Sequence, residues 1–197
     1  MLPVDTFARF SLVETAAPAE EPVSLAEAKA HAAIEITDDD TMVTAFIVAA
    51  RQWAETFMKR QIITATYTLL LDEFPDVITL PRPPLSVVNS VKYLDTDGVQ
   101  QTLDAALYTV DTYSTPGRIM PAYNEVWPDY RSQFNCIEVA YDCGYGDATA
   151  VPEWIKLAIK ILVAHWYEHR RPVTEGAINE VPWTCEALLF QGKQWLV

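Results

Sequence analysis

The apolar residues of this chain change their spacing twice, and these changes constrain the fold more than any other feature of the sequence. In the stretch up to Arg60, apolar side chains such as Met42 and Phe46 recur every three or four residues, which is typical of an amphipathic helix. From Ile62 onwards apolar and polar residues alternate, which is the period of a β-strand. The helix predicted after Pro152 is apolar on nearly all of its faces. We therefore expect the core to bury one side of it and a partner subunit to bury another.

The two changes of period predict an α+β fold. We expect an α-helical bundle as the body, with a small antiparallel β subdomain inserted between the second and third helices. The predicted helices lie at about 25–33, 39–60, 152–170 and 183–190. The predicted divisions are an extended N-terminal arm at 1–23, the helical body at 24–61 and 144–190, the β subdomain at 62–143, and a C-terminal tail at 191–197.

Local motifs support several of these elements. Ser24 and Glu27 have the spacing of a capping box, which predicts a helix start. The acidic run 38–40 suits the positive N-terminus of the second helix, although three acids could also bind a cation. The dipeptide Asp97-Gly98 lies between two strand-like segments and predicts a hairpin.

The charge of the chain argues against tight binding of nucleic acid. The net charge is −13, because 27 acidic residues outnumber 14 lysines and arginines. Proteins that grip phosphates need a basic face, and only Arg170 and Arg171 suggest a small basic patch here. An acidic wall past which DNA slides remains compatible with this composition.

Residues that could carry chemistry do not form a recognisable site. His165 and His169 lie four residues apart on a predicted helix and could face one metal, but the intervening residues do not form HExxH, and packing is the preferred interpretation. The three cysteines form no CxxC pair, no serine lies in GxSxG, and 144–146 indicates a turn. We therefore expect no cofactor, no metal and no catalytic residues.

We find neither a signal peptide nor a stretch of 18 apolar residues, so a soluble, cytoplasmic protein is expected.

Several ordered segments together resemble a known family. The chain is similar to the tailed-phage head–tail connectors, also called adaptor or head-completion proteins, which include proteins of phage-like gene transfer agents. The resemblance covers about residues 24–190. The segments that carry it are 24–29, 38–40, 60–64, 78–85, 87–93, 116–119, 144–146, 151–153 and 165–170.

The resemblance implies a structural role. Members of this family form a ring, usually of twelve copies, beneath the portal, where they join the portal to the stopper or tail terminator and continue the DNA channel. The family implies a helical bundle with a β insertion, no catalytic residues, and no specific binding to the DNA that passes through. It also implies assembly in the host cytoplasm and a place in the particle neck.

The C-terminal segment is the predicted site of contact with the portal or with a neighbouring subunit. Six tryptophans are many for 197 residues, and aromatic side chains in tails are common interface anchors. The alternative is that the tail folds back on its own core. Two other functions stay open at this point, namely an enzyme with a dispersed active site and a monomeric protein-binding module. The predicted anchors are Trp183, Leu188, Leu189, Phe190, Trp195 and Leu196.

Overall fold

The computed structural model describes residues 10–169 and 182–195. The chain divides into two compact units, and we describe each by itself. The β unit comprises Met1–Ala17 and Thr64–Gly144, and the helical unit comprises Pro18–Ile63 and Tyr145–Val197.

The β unit is built on a five-stranded antiparallel sheet in the order β1-β2-β8-β4-β5. The central strands β2 and β8 alternate between buried and half-buried positions, as expected for strands with one face on a core. Asp97-Gly98 connects β4 to β5, so the predicted hairpin is confirmed. These strands are β1 (Phe10–Ala16), β2 (Ala65–Leu71), β4 (Leu85–Leu94), β5 (Gln100–Thr102) and β8 (Ile137–Cys143).

A second, three-stranded antiparallel sheet completes the β unit. Its order is β3-β7-β6, with β3 at Ile78–Leu80, β6 at Tyr108–Asp111 and β7 at Gly117–Pro121. A short 3-10 helix at Ala105–Leu107 precedes β6. Both sheets contribute buried side chains to one core, including Leu80, Ile119, Val139 and Tyr141.

The helical unit contains α1 (Leu25–His31), α2 (Asp40–Met58), α3 (Glu153–Glu168) and α4 (Trp183–Phe190). The predicted capping box at the start of α1 is confirmed, because Ser24 Oγ accepts from the Glu27 N–H and Glu27 accepts from the Ser24 N–H. α2 ends where Lys59 takes a left-handed conformation at φ 54°. The buried side chains of this core include Val43, Ile47, Ala54, Met58, Ile155, Ile159, Leu162, Cys185 and Leu189.

A buried polar network fixes the segment that leads into α1 against α2. The Arg51 guanidinium donates to Glu21 at 2.8 Å and to Glu55 at 2.9 Å. Glu55 also accepts from the Gln61 side-chain amide at 2.9 Å. Each of these groups therefore has a partner, which offsets the cost of removing it from water.

The predicted fold class is wrong in making an α-helical bundle the body of the protein. Of the described residues, 30% are helical and 26% lie in strands, so the fold is a mixed α+β fold. The strands form two sheets with their own core, and β1 comes from the N-terminal segment to pair with β2. β1 was not predicted because it has no alternating pattern, and the other strands, all within 62–143, were interpreted as an insertion into a helical body.

Candidate assembly surface

One face of α4 belongs to the core of the helical unit. Cys185 and Leu189 are fully buried, and the Cys185 thiol lies 3.4 Å from the carbonyl oxygen of Ala158 in α3. Burial raises the pKa of Cys185 to about 12, so the thiol stays protonated and behaves as a small apolar group. This face therefore anchors α4.

The segment after α4 also folds back onto the helical unit, at least as far as Trp195. The Gln194 N–H donates to the carbonyl oxygen of Met58 at 2.8 Å, and the Arg60 guanidinium donates to the carbonyl oxygen of Gly192. Gly192 lies so close to Trp154 that a Cβ there would collide with the indole ring. The end of α2 and the C-terminal segment thus form one packed structure.

Three aromatic side chains of α4 and of the segment after it nevertheless face solvent. Trp183 is 81% exposed, Phe190 54% and Trp195 58%. The rings of Phe190 and Trp195 meet edge to face with centroids 5.4 Å apart. We call Trp183, Phe190 and Trp195 the C-terminal aromatic surface. Exposed aromatic groups of this kind on a packed support are typical of protein–protein contacts.

The six predicted anchors therefore fall into different environments. Trp183, Phe190 and Trp195 form the C-terminal aromatic surface, whereas Leu188 is half-buried against the core and Leu189 is part of it. Leu196 lies outside the described residues. Because Leu189 is inaccessible, we leave it out of the proposed contact.

Lys193 lies beside this surface, a feature that the sequence analysis did not identify. The Lys193 ammonium lies 4.6 Å from the centre of the Phe57 ring and 5.3 Å from that of Trp195. Lys59 and Arg60 follow α2 directly, and only their position at a helix end was visible in the sequence. We call Lys59, Arg60 and Lys193 the basic cluster.

The histidine pair packs ring to ring at the end of α3. The ring centroids of His165 and His169 are 4.5 Å apart, and Nδ1 of His169 lies 2.9 Å from the carbonyl oxygen of His165. Burial and the neighbouring His169 lower the pKa of His165. Within the described residues, no group of three or more metal-ligating side chains is close enough to hold an ion. Arg170 and Arg171 lie outside the described residues.

The carboxyl groups with shifted pKa values serve turns and helix starts. Hydrogen bonds lower the pKa of all four. The largest cause is the hydrogen bond from Ser24 for Glu27, from Gln101 for Asp95, from Arg118 for Asp111 and from Thr149 for Asp147. Each of the four lies in a different loop or cap, which accounts for the shifts without acid–base chemistry.

In the part of the chain that the structure describes, no helix is both long and apolar enough to cross a membrane.

The family comparison decides the class of the protein. The family model described as "Head completion protein" matches residues 22–178, which is most of the chain. The chain belongs to the head completion protein family. The predicted family resemblance and the predicted structural role as a head–tail connector are thereby confirmed.

Solved structures support the fold of this family member. A chain from a structure described as the neck of an empty gene transfer agent (GTA) particle computed with C6 symmetry is 22% identical, with a TM-score of 0.78 over 95% of this chain and 97% of that one. A chain of the virion of a native GTA particle gives 22% identity and a TM-score of 0.77 over 94% and 96% of the two chains. A chain of the neck of a native GTA particle computed with C12 symmetry is 23% identical, with a TM-score of 0.76 over 95% of this chain and 97% of that one. No match is found among curated proteins.

Proposed function

We propose that this chain forms a closed ring of twelve copies in the neck of a phage or phage-like particle. There it joins the portal to the stopper or tail terminator and continues the DNA channel. The observation that carries the proposal is the shared fold over 95% of this chain and 97% of a chain from a GTA neck with C12 symmetry. Membership of the head completion family agrees with it. The role is structural and requires no catalysis, and assembly takes place in the host cytoplasm.

The charge of the chain suits a channel through which DNA passes without specific binding. A net charge of −13 on every copy gives a ring a strongly negative total charge. Such a surface repels phosphates and has little basic area to retain them. DNA therefore moves past the ring without being gripped.

The C-terminal aromatic surface is the proposed contact with the portal or with a neighbouring copy. Trp183, Phe190 and Trp195 are exposed in the isolated chain, and burying such side chains contributes roughly 1.5–3 kcal/mol each. Their support on α4 and on the end of α2 is already ordered, which reduces the entropy lost on binding. Leu188 contributes through its accessible part, and Leu196 extends the same segment.

Mass measurement on the purified chain tests the proposed ring. Twelve copies of a 22.2 kDa chain give about 266 kDa, which native mass spectrometry separates from a monomer. We expect a closed assembly at or near this mass, and the fraction of protein in this assembly should increase with protein concentration. A protein that stays monomeric at every concentration would support a monomeric binding module and contradict the proposal.

A further inference from the structure

The basic cluster places three positively charged residues at the C-terminal end of α2 in an acidic protein. Lys29, Arg51, Lys92, Arg118 and Lys156 each form an ion pair with a carboxylate. Lys59, Arg60 and Lys193 form none with the described residues, although acidic residues outnumber basic ones by 13 in the whole chain. Arg131 and Lys160 also form none, but they are isolated cations and not neighbours in such a group. Lys59 is exposed, and Lys193 is half-buried against aromatic rings. The cluster is thus available to an acidic partner.

An exposed acidic loop lies at the opposite end of the same helix. Residues 35–38, which we call the acidic loop, connect α1 to α2 and are all exposed. Ile36 is 53% exposed between the carboxylates of Glu35 and Asp38. The next two acids are already used, because Asp39 accepts from the Tyr167 hydroxyl at 2.8 Å and Asp40 pairs with Lys29.

The two features cannot meet within one molecule, because α2 separates them. Its 19 residues span about 27 Å at 1.5 Å per residue. A contact between them can therefore form only between two copies, with the basic cluster of one against the acidic loop of the next. Such a head-to-tail contact uses two different surfaces of each copy and generates a ring when the rotation closes.

We propose that the basic cluster of one copy binds the acidic loop of a second copy, so that this contact joins neighbouring subunits. The inference rests on the proposed function, because it names the neighbour that a ring requires. Lys59 and Lys193 meet Glu35 and Asp38, and Ile36 packs on the exposed Trp195 ring. Opposite charges at this contact offset the repulsion between copies that each carry −13.

Charge reversal with complementation tests the contact. The Lys59→Glu/Lys193→Glu double variant makes both ends of α2 acidic, and the Glu35→Lys/Asp38→Lys double variant makes both ends basic. We expect each variant alone to need a concentration at least about tenfold higher for half-assembly in native mass spectrometry, because two attractive pairs become repulsive. An equimolar mixture should recover rings in which the two variants alternate, which an even number of subunits permits.

Matched controls separate the contact from net charge and from folding. Arg131→Glu/Lys160→Glu and Asp97→Lys/Glu125→Lys make the same charge changes at residues that belong to neither feature and form no ion pair with the described residues, and we expect them to assemble like the wild type. Circular dichroism should show that the reversed variants are folded, with a melting temperature lowered by no more than a few degrees, because they reverse charges that suit the ends of α2. Rings that persist in both reversed variants, or a mixture that fails to recover them, would overturn this inference. Neither result would contradict the proposed ring. A monomeric wild type would instead contradict the proposed function.

Discussion

At the scale of single residues, Ser24 and Glu27 show how two side chains fix where a helix begins. The Glu27 carboxylate accepts from the Ser24 N–H at 2.8 Å and from the Ser24 hydroxyl at 2.7 Å. These hydrogen bonds lower the pKa of Glu27 below its ordinary 4.5. The charged form is therefore favoured by folding, so this stabilisation is complete above about pH 4.5 and is lost as the pH falls through the lowered pKa.

Replacement of either residue should show this linkage. Ser24→Ala should lower the free energy of unfolding at pH 7 by about 1 kcal/mol, because it removes the acceptor for the Glu27 N–H. Glu27→Gln keeps an acceptor for the Ser24 N–H but cannot titrate, so its stability should vary less between pH 5 and pH 3. Urea denaturation of the three proteins across this range measures both effects. Equal pH dependence in wild type and Glu27→Gln would show that the capping box is not coupled to pH.

At the scale of elements, α4 has one face in the core and one face exposed to solvent. Leu189→Ala should destabilise the protein by roughly 2–5 kcal/mol, because it opens a cavity where the side chain is fully buried. Trp183→Ala should leave stability within about 0.5 kcal/mol, because the indole is 81% exposed. Thermal denaturation compares the two variants, and a large destabilisation by Trp183→Ala would show that this ring supports the fold instead of a contact.

Local patterns predicted the elements that local interactions fix. The stripe of α2, the capping box of α1 and the Asp97-Gly98 hairpin depend on neighbours in sequence, and all three are confirmed. β1 was not predicted, because its pairing of Phe10 with Leu71 depends on a segment far along the chain. The contribution of such long-range pairing does not show in the periodicity of an edge strand.

The candidate surface was only partly visible in the sequence for the same reason. Leu188, Leu189 and Phe190 are adjacent apolar residues, and only the packing of α4 shows that Leu189 is buried while Phe190 is exposed. Likewise Lys193 meets Phe57 because the chain folds back on the end of α2. The apolar surroundings of α3 also come partly from its own unit, since Trp166 packs on Phe46 and Gly192 lies against Trp154.

At the scale of the whole molecule, two units of comparable extent each have a core of their own. The sequence analysis made the helical part the body, because helical stripes are longer and more regular than the short strands of the β unit. The family and the structural role were nevertheless predicted correctly, because they depend on an ordered set of motifs across the chain and not on the share of helix.

The position of the chain in an assembled particle tests the central claim most directly. A tag on this chain, introduced into cells that produce the particles, can be located by electron microscopy of purified particles with a tag-specific label. We predict label at the junction of head and tail, as one cluster per particle, since a ring in the neck occupies a single position. Label spread over the capsid or along the tail, or particles that contain none of the chain, would contradict the assignment of this protein as a head–tail connector.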